Sequence, residues 1–157
     1  MNDTRRQILA AFMALPATPI FAQNAAQSFK PVVLRGRVVS LTDVMQANYQ
    51  ATIDPQRALL YCLKTADNKF YPFLPTDLAA AIYDDERFRQ RELQVTARTF
   101  NDLPFIEIIN LQSVKWGRVF DLYYFCEVCN IKIHKPGPCE CCQDPVIFTE
   151  TPAKDNN

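Results

Sequence analysis

The sequence predicts a mainly β chain, with a small five-stranded barrel carrying one helix and a C-terminal ribbon built on four cysteines. Three observations point there. Eleven Pro and eleven Phe against only three Gly favour strands and turns over a helical bundle. Short β-rich segments recur in which apolar and polar residues alternate, the signature of half-buried strands. Cys126-x-x-Cys129 and Cys139-x-x-Cys142 stand nine residues apart, and each pair has the length of a tight turn presenting two thiolates to one metal ion. At 157 residues the chain is long enough for one domain with a core plus a small appendage. The net charge is zero and no basic tract is present, so bulk electrostatics disfavours a nucleic-acid or anionic-membrane surface.

Residues 1–22 read as a signal peptide. Arg5 and Arg6 precede an apolar run over 8–20 that is too short to span a bilayer and has the length of a secretory hydrophobic region. Ala22 offers a small residue at the cleavage position, with Ala26 as the second choice. Thr4-Arg5-Arg6-Gln7-Ile8-Leu9 resembles the twin-arginine export signal, with Ile8 where that pattern carries Phe. The expected location is periplasmic or secreted, with no stable membrane span after cleavage; an uncleaved N-terminal anchor or tail is the alternative. Export raises a second reading of the six cysteines as disulfides. The twin-arginine route resolves it, because it carries proteins that fold and load metal before export.

The first domain is expected over 29–119. Residues 31–41 form a β-rich segment with alternation from Leu34, and Gly36 in its middle suggests a bend or bulge. Residues 42–56 are polar and unpatterned, a long loop with at most a helical turn. Residues 57–64 and 69–74 flank a turn-rich Thr65-Ala66-Asp67-Asn68 and make a hairpin. Thr76 can cap a helix that opens on Asp77, breaks near Asp84-Asp85 and ends by Gln90. Strict alternation over 92–100 sets Leu93, Val95 and Ala97 on one side of a strand, and residues 104–114 return as another. The order β-β-β-α-β-β is that of an OB-like barrel, with an open α+β sheet of the same order as the alternative.

Residues 115–122 read as the join to a second unit over 120–150, and 151–157 as a disordered tail. In that unit a short strand delivers Cys126, residues 131–134 return, Pro136-Gly137-Pro138 turns rigidly into Cys139, and residues 145–148 close the ribbon. So few residues bury too little surface to fold alone, so metal binding supplies much of the folding free energy. Tyr124-Phe125-Cys126-Glu127-Val128-Cys129 and Lys135-Pro136-Gly137-Pro138-Cys139-Glu140-Cys141-Cys142 resemble the heavy-metal-binding ribbon of copper-exporting ATPases and efflux-pump adaptor proteins. The resemblance covers about residues 124–148. It implies Cys126, Cys129, Cys139 and Cys142 as ligands and Pro136-Gly137 as the turn. Glu127 and Glu140 stand where that family has prolines, Gln143 where it has glycine, and Asp144 where it has a methionine suited to Cu(I). The cofactor expected is therefore Zn²⁺, with Fe or Cu as alternatives. Rubredoxin, with its two CxxC knuckles, is a weaker resemblance.

Two residues stand apart. His134, the single histidine, can replace a ligand or sit on the strand surface, and Cys141 is an additional metal or redox candidate or a disulfide partner of Cys62. Cys62 itself, between Tyr61 and Leu63, reads as a buried core residue. Four thiolates leave no open coordination position for catalysis. Neither CxxC has the βαβ setting of a thioredoxin-type redox pair, and one histidine without Gly-x-Ser-x-Gly makes no hydrolase triad. Asp84, Asp85 and Glu86 read as a solvated helix face. The expected function is that of an exported, non-enzymatic metal-binding protein with a structural four-cysteine zinc ribbon and a β-barrel interaction domain. Its partner is an unidentified protein or small ligand on the barrel face bearing Tyr61, Phe70, Tyr71 and Phe73. The alternatives are a periplasmic Zn/Cu-handling protein and a rubredoxin-like iron electron carrier.

Overall fold

The computed structural model describes residues 31–54 and 60–154. The signal-peptide reading of 1–22, the cleavage choices and residues 155–157 of the expected tail lie outside the described residues, as do 57–59 of the second expected strand. Among the described residues no helix is long and apolar enough to cross a membrane.

The chain folds as β1 (Val32–Ser40), α1 (Leu41–Tyr49), β2 (Tyr61–Thr65), β3 (Phe70–Pro72), α2 (Asp77–Asp84), α3 (Glu86–Arg89), β4 (Glu92–Phe100), β5 (Leu103–Lys115), β6 (Arg118–Cys126), β7 (Ile131–Ile133) and β8 (Ile147–Pro152). All strand ladders are antiparallel and belong to one sheet of order β3-β2-β1-β4-β5-β6-β7, with β8 also paired to β6. The mainly β class is as the sequence predicts. The closed barrel is not, because the sheet stays open: the chain just after β3 meets β5 only at a single parallel bridge, Phe73 to Ile106, where Leu74 N–H donates to the Ile106 carbonyl at 2.9 Å. β3 spans only Phe70–Pro72, too short for a closing ladder.

α1 occupies ground that reads as loop in the sequence. The Ser40 hydroxyl accepts from Asp43 N–H at 3.1 Å and Asp43 sits in the first turn, both favourable at a helix start. Its only buried residue is Thr42, so no apolar stripe announces it. α2 follows expectation, with Thr76 as its N-cap.

Gly36 is not a bulge: it pairs in unbroken register with Thr65 on one side and Leu93 on the other. Glycine is needed there because a Cβ would stand 2.3 Å from the Lys64 carbonyl oxygen. The register shifts fall instead between Thr96 and Ala97 and between Thr99 and Phe100, where they bend the long β4–β5 ladder.

The stretch 115–122 is also no linker. β5 turns straight into β6 through Trp116 (φ 50°) and Gly117 (φ 75°), with Lys115 opposite Arg118. Positive φ at both central residues is the two-residue hairpin geometry that matches strand twist. β8 extends to Pro152, so Thr151 and Pro152 of the expected tail pair with Asp121 and Phe120. The sheet thus continues from β1–β5 into the cysteine segment.

The core confirms the alternation over β4: Leu93, Val95 and Ala97 are fully buried, with Leu63, Phe73, Ile82, Phe88 and Ile106 around them. Leu122 and Tyr124 of β6 join the same cluster, and Phe148 of β8 packs against it. Of the four aromatics expected on a contact face, Phe73 lies in the core and Tyr61 and Tyr71 pack against it. Phe70 stands apart from that cluster, its ring 5.6 Å from the Lys64 ammonium. Cys62 is fully buried, as expected, its thiol directed at the Val39 carbonyl (3.7 Å), and burial pushes that thiol up to about 11.

Candidate metal centre

β6 brings Cys126 to the end of the sheet, fully buried. The chain then reverses through Glu127, Val128 and Cys129 into β7. The turn closes at Asn130, which takes φ 56°, and Cys129 N–H donates to the Cys126 sulfur at 3.4 Å. Beyond β7, Gly137 (φ 125°) between two prolines turns the chain back, and Pro138 bridges Pro145. The second knuckle is held by Cys139 N–H to the Asp144 carbonyl and Gln143 N–H to the Cys139 carbonyl, both 2.8 Å. It ends on Gln143 at φ 64°. Both knuckles therefore make the left-handed turn for which glycine is the usual residue, one with Asn and one with Gln.

These two turns face each other. Cys126 and Cys142 sulfurs lie 3.4 Å apart, Cys129 and Cys139 sulfurs 3.9 Å apart, and all four ligand atoms fall within 4.8 Å of one another. Zn–S bonds of about 2.3 Å in a tetrahedron put sulfurs about 3.8 Å apart. The spacing is far beyond a disulfide bond of about 2.05 Å, and all six cysteines are free thiols. This cluster of four cysteines can hold a metal ion, and among the described residues no other group of His, Cys, Asp or Glu does so.

The electrostatics fit that use. Backbone N–H groups of Cys142 and Cys141 donate to the Cys139 sulfur and bring its thiol down to about 7. The neighbouring Cys142 and Cys141 side chains, followed by desolvation, hold the Cys129 thiol well above its ordinary value. Asp144 N–H favours the Cys142 thiolate, yet desolvation and Cys126 push that thiol up to about 11. Cys139 is thus favoured as a thiolate while Cys129 and Cys142 are disfavoured, and metal binding displaces protons from thiols that ligate it.

The two additional candidates fall outside the tetrahedron. His134 is exposed just past β7, beside Asp77, Lys135 and Glu140 on the surface. Cys141 is exposed and unbonded to the buried Cys62. Lys132 sits 4.1 Å from the Tyr123 ring.

Sequence reasoning misses the residues that seat the ribbon. Asp85 is buried, not on a solvated face. It caps α3 by accepting from Arg87 N–H at 2.9 Å, and its other oxygen accepts from the Tyr124 hydroxyl at 2.6 Å, two residues before Cys126. Phe148 completes the seat, edge-on to Phe88 and Tyr124 and with the Arg87 guanidinium 4.4 Å from its ring centre. Glu150 of β8 binds Ser113 and Lys115 of β5 and lies 3.5 Å from Arg91. The Asp85-x-Arg87 pattern of a capping acid is the one sequence signal for this set.

Comparison with known proteins found no matching family model, curated protein or solved structure.

Proposed function

We propose that this chain is an exported, non-enzymatic metal-binding protein in which Cys126, Cys129, Cys139 and Cys142 hold one structural Zn²⁺. The observation that carries the reading is the approach of four sulfurs from two facing knuckles to tetrahedral contact. Four thiolates without histidine or methionine suit zinc, and a site saturated by protein ligands has no position for substrate. Arg5-Arg6 before the apolar run at 8–20 supports twin-arginine export to the periplasm. The open sheet then serves a protein or small-ligand partner. Metal analysis and visible absorption of natively purified protein test the reading. One tightly held zinc per chain is the expected result. A red iron chromophore points instead to an electron carrier, and bound copper to a metal handler.

A further inference from the structure

The four clustered thiols are of two kinds. Cys126 and Cys139 are fully buried, whereas Cys129 and Cys142 are half-buried. Two close sulfur contacts each join one of either kind: Cys142 lies 3.4 Å from Cys126, and Cys129 lies 3.9 Å from Cys139. Both contacts cross from one knuckle to the other. Inside the first knuckle the Cys126 sulfur accepts the Cys129 backbone N–H instead, at 3.4 Å. The other two thiols stand apart, Cys62 buried in the main sheet and directed at the Val39 carbonyl, Cys141 exposed.

Sulfurs at these separations must close by about 1.4–1.9 Å to reach a disulfide bond of about 2.05 Å. The same sulfurs can serve an ion or a disulfide, but not both. Resting on the metal reading above, we propose that the centre is a switch between a metal-bound and an oxidised form. In the metal-free chain a low-molecular-weight disulfide, the class of oxidant met outside the cytoplasm, closes Cys126–Cys142 and Cys129–Cys139. The half-buried member of each pair meets the oxidant first. The Cys142 sulfur bonds to one oxidant sulfur, the oxidant S–S bond breaks, and the other half leaves as a thiol with the Cys142 proton. The buried Cys126 sulfur then bonds to Cys142 and releases the second half as a thiol with its own proton. Two protein thiols are oxidised and one oxidant disulfide is reduced to two thiols. Cys129 and Cys139 react in the same order with a second oxidant molecule. The two cross-links tie the knuckles together without an ion and leave none of the four sulfurs to bind one.

The test takes the full-length chain loaded with Zn²⁺ and the same chain after chelation, each incubated with oxidised glutathione. Free thiols are then alkylated and the disulfides mapped by mass spectrometry without reduction. Cleavage after Glu127 and Glu140 separates the two cysteines of each knuckle, so the pairings are distinguishable. The metal-free chain should yield Cys126–Cys142 and Cys129–Cys139, with Cys62 and Cys141 outside every protein disulfide. It should lose zinc binding until it is reduced, and the zinc-loaded chain should form neither pair over the same period. Pairing within each CxxC, a bond to Cys141, or no bond overturns the proposal and leaves the metal centre standing. Equal oxidation of the zinc-loaded chain overturns it too. A chain that takes up no zinc before oxidation removes the metal reading and the switch with it. Cys142→Ser guards against rearrangement of the metal-free segment: Cys129–Cys139 should still close while Cys126 stays a thiol, and a Cys126–Cys129 bond in its place overturns the pairing.

Discussion

The Tyr124 hydroxyl donates to the Asp85 carboxylate at 2.6 Å, tying the strand that delivers Cys126 to the cap of α3. The same carboxylate takes the Arg87 guanidinium at 2.7 Å. The metal segment is therefore anchored in the main core by a charge-assisted bond as well as by the Phe88, Tyr124 and Phe148 rings. A ribbon so seated has its first ligand placed before any ion arrives.

Tyr124→Phe keeps the ring packing and deletes only the donor. The Asp85 oxygen left behind keeps Arg87 as a partner, so the loss should fall at about 1.5–3 kcal/mol of stability, the range for hydrogen bonds to charged groups. Chemical denaturation should show this loss while metal content stays at the wild-type level. Loss of metal together with stability means that the bond sets the position of Cys126 rather than supporting it.

Acid should act through the same carboxylate. Burial raises the Asp85 pKa, but hydrogen bonds from Arg87 and Tyr124 outweigh it and bring the group down to about 2 from its ordinary 3.8. Because the folded value is depressed, the stabilisation is complete above the unfolded value near pH 4 and is lost as pH falls toward 2. The contribution is on the order of 2 kcal/mol. Asp85→Asn should be less stable than wild type at neutral pH, and the difference should shrink across that acid window. A constant difference between pH 4 and pH 2 contradicts this assignment.

Much of this site is legible in sequence and some of it is not, for physical reasons. The cysteine spacing is local, so two CxxC turns announce a metal centre without knowledge of the fold. β4 is legible because one face is core and the other is solvent, which writes a period of two into residues 92–100. α1 is hidden because it buries a threonine and no apolar stripe. The β5–β6 hairpin is hidden because Trp116-Gly117 lacks the Asn or Asp that marks this turn. Asp85 sits between Asp84 and Glu86, and only the distant Tyr124 distinguishes the buried acid from the exposed ones. The difference between an open sheet and a barrel lies in the length of β3, which element order does not record.

Removing the metal should loosen less of the chain than the expected boundary at residue 120 implies. β6 pairs with β8 over residues 120–125 and 147–152, and Leu122 and Tyr124 sit in the main core. A chelator, or Cys126→Ser, should therefore free the amides of 127–146, the segment that carries the cysteine knuckles, as expected where metal binding supplies folding free energy. Protection in Leu122–Phe125 and Phe148–Thr151 should persist. Hydrogen exchange read by peptide distinguishes the outcomes: exchange spreading through 118–126 and 147–152 would mean that the ion also holds the ladder.

Gly36→Ala should be among the most damaging substitutions outside the cysteines. The added methyl would meet backbone, the Lys64 carbonyl oxygen at 2.3 Å and its carbon at 2.8 Å, and backbone in a ladder has no rotamer by which to withdraw. The position is also where β1 is paired on both sides at once, to Thr65 and to Leu93, so a shift that relieves one contact strains the other ladder. Overpacking of this kind costs about 1–3 kcal/mol, and the upper end applies here. Thermal melting should show the loss, with metal content unchanged because the four clustered cysteines lie at the end of β6 and in the turns after it, away from β1 and β2. A melting temperature within error of wild type would show that β1 and β2 can part at Gly36 without penalty.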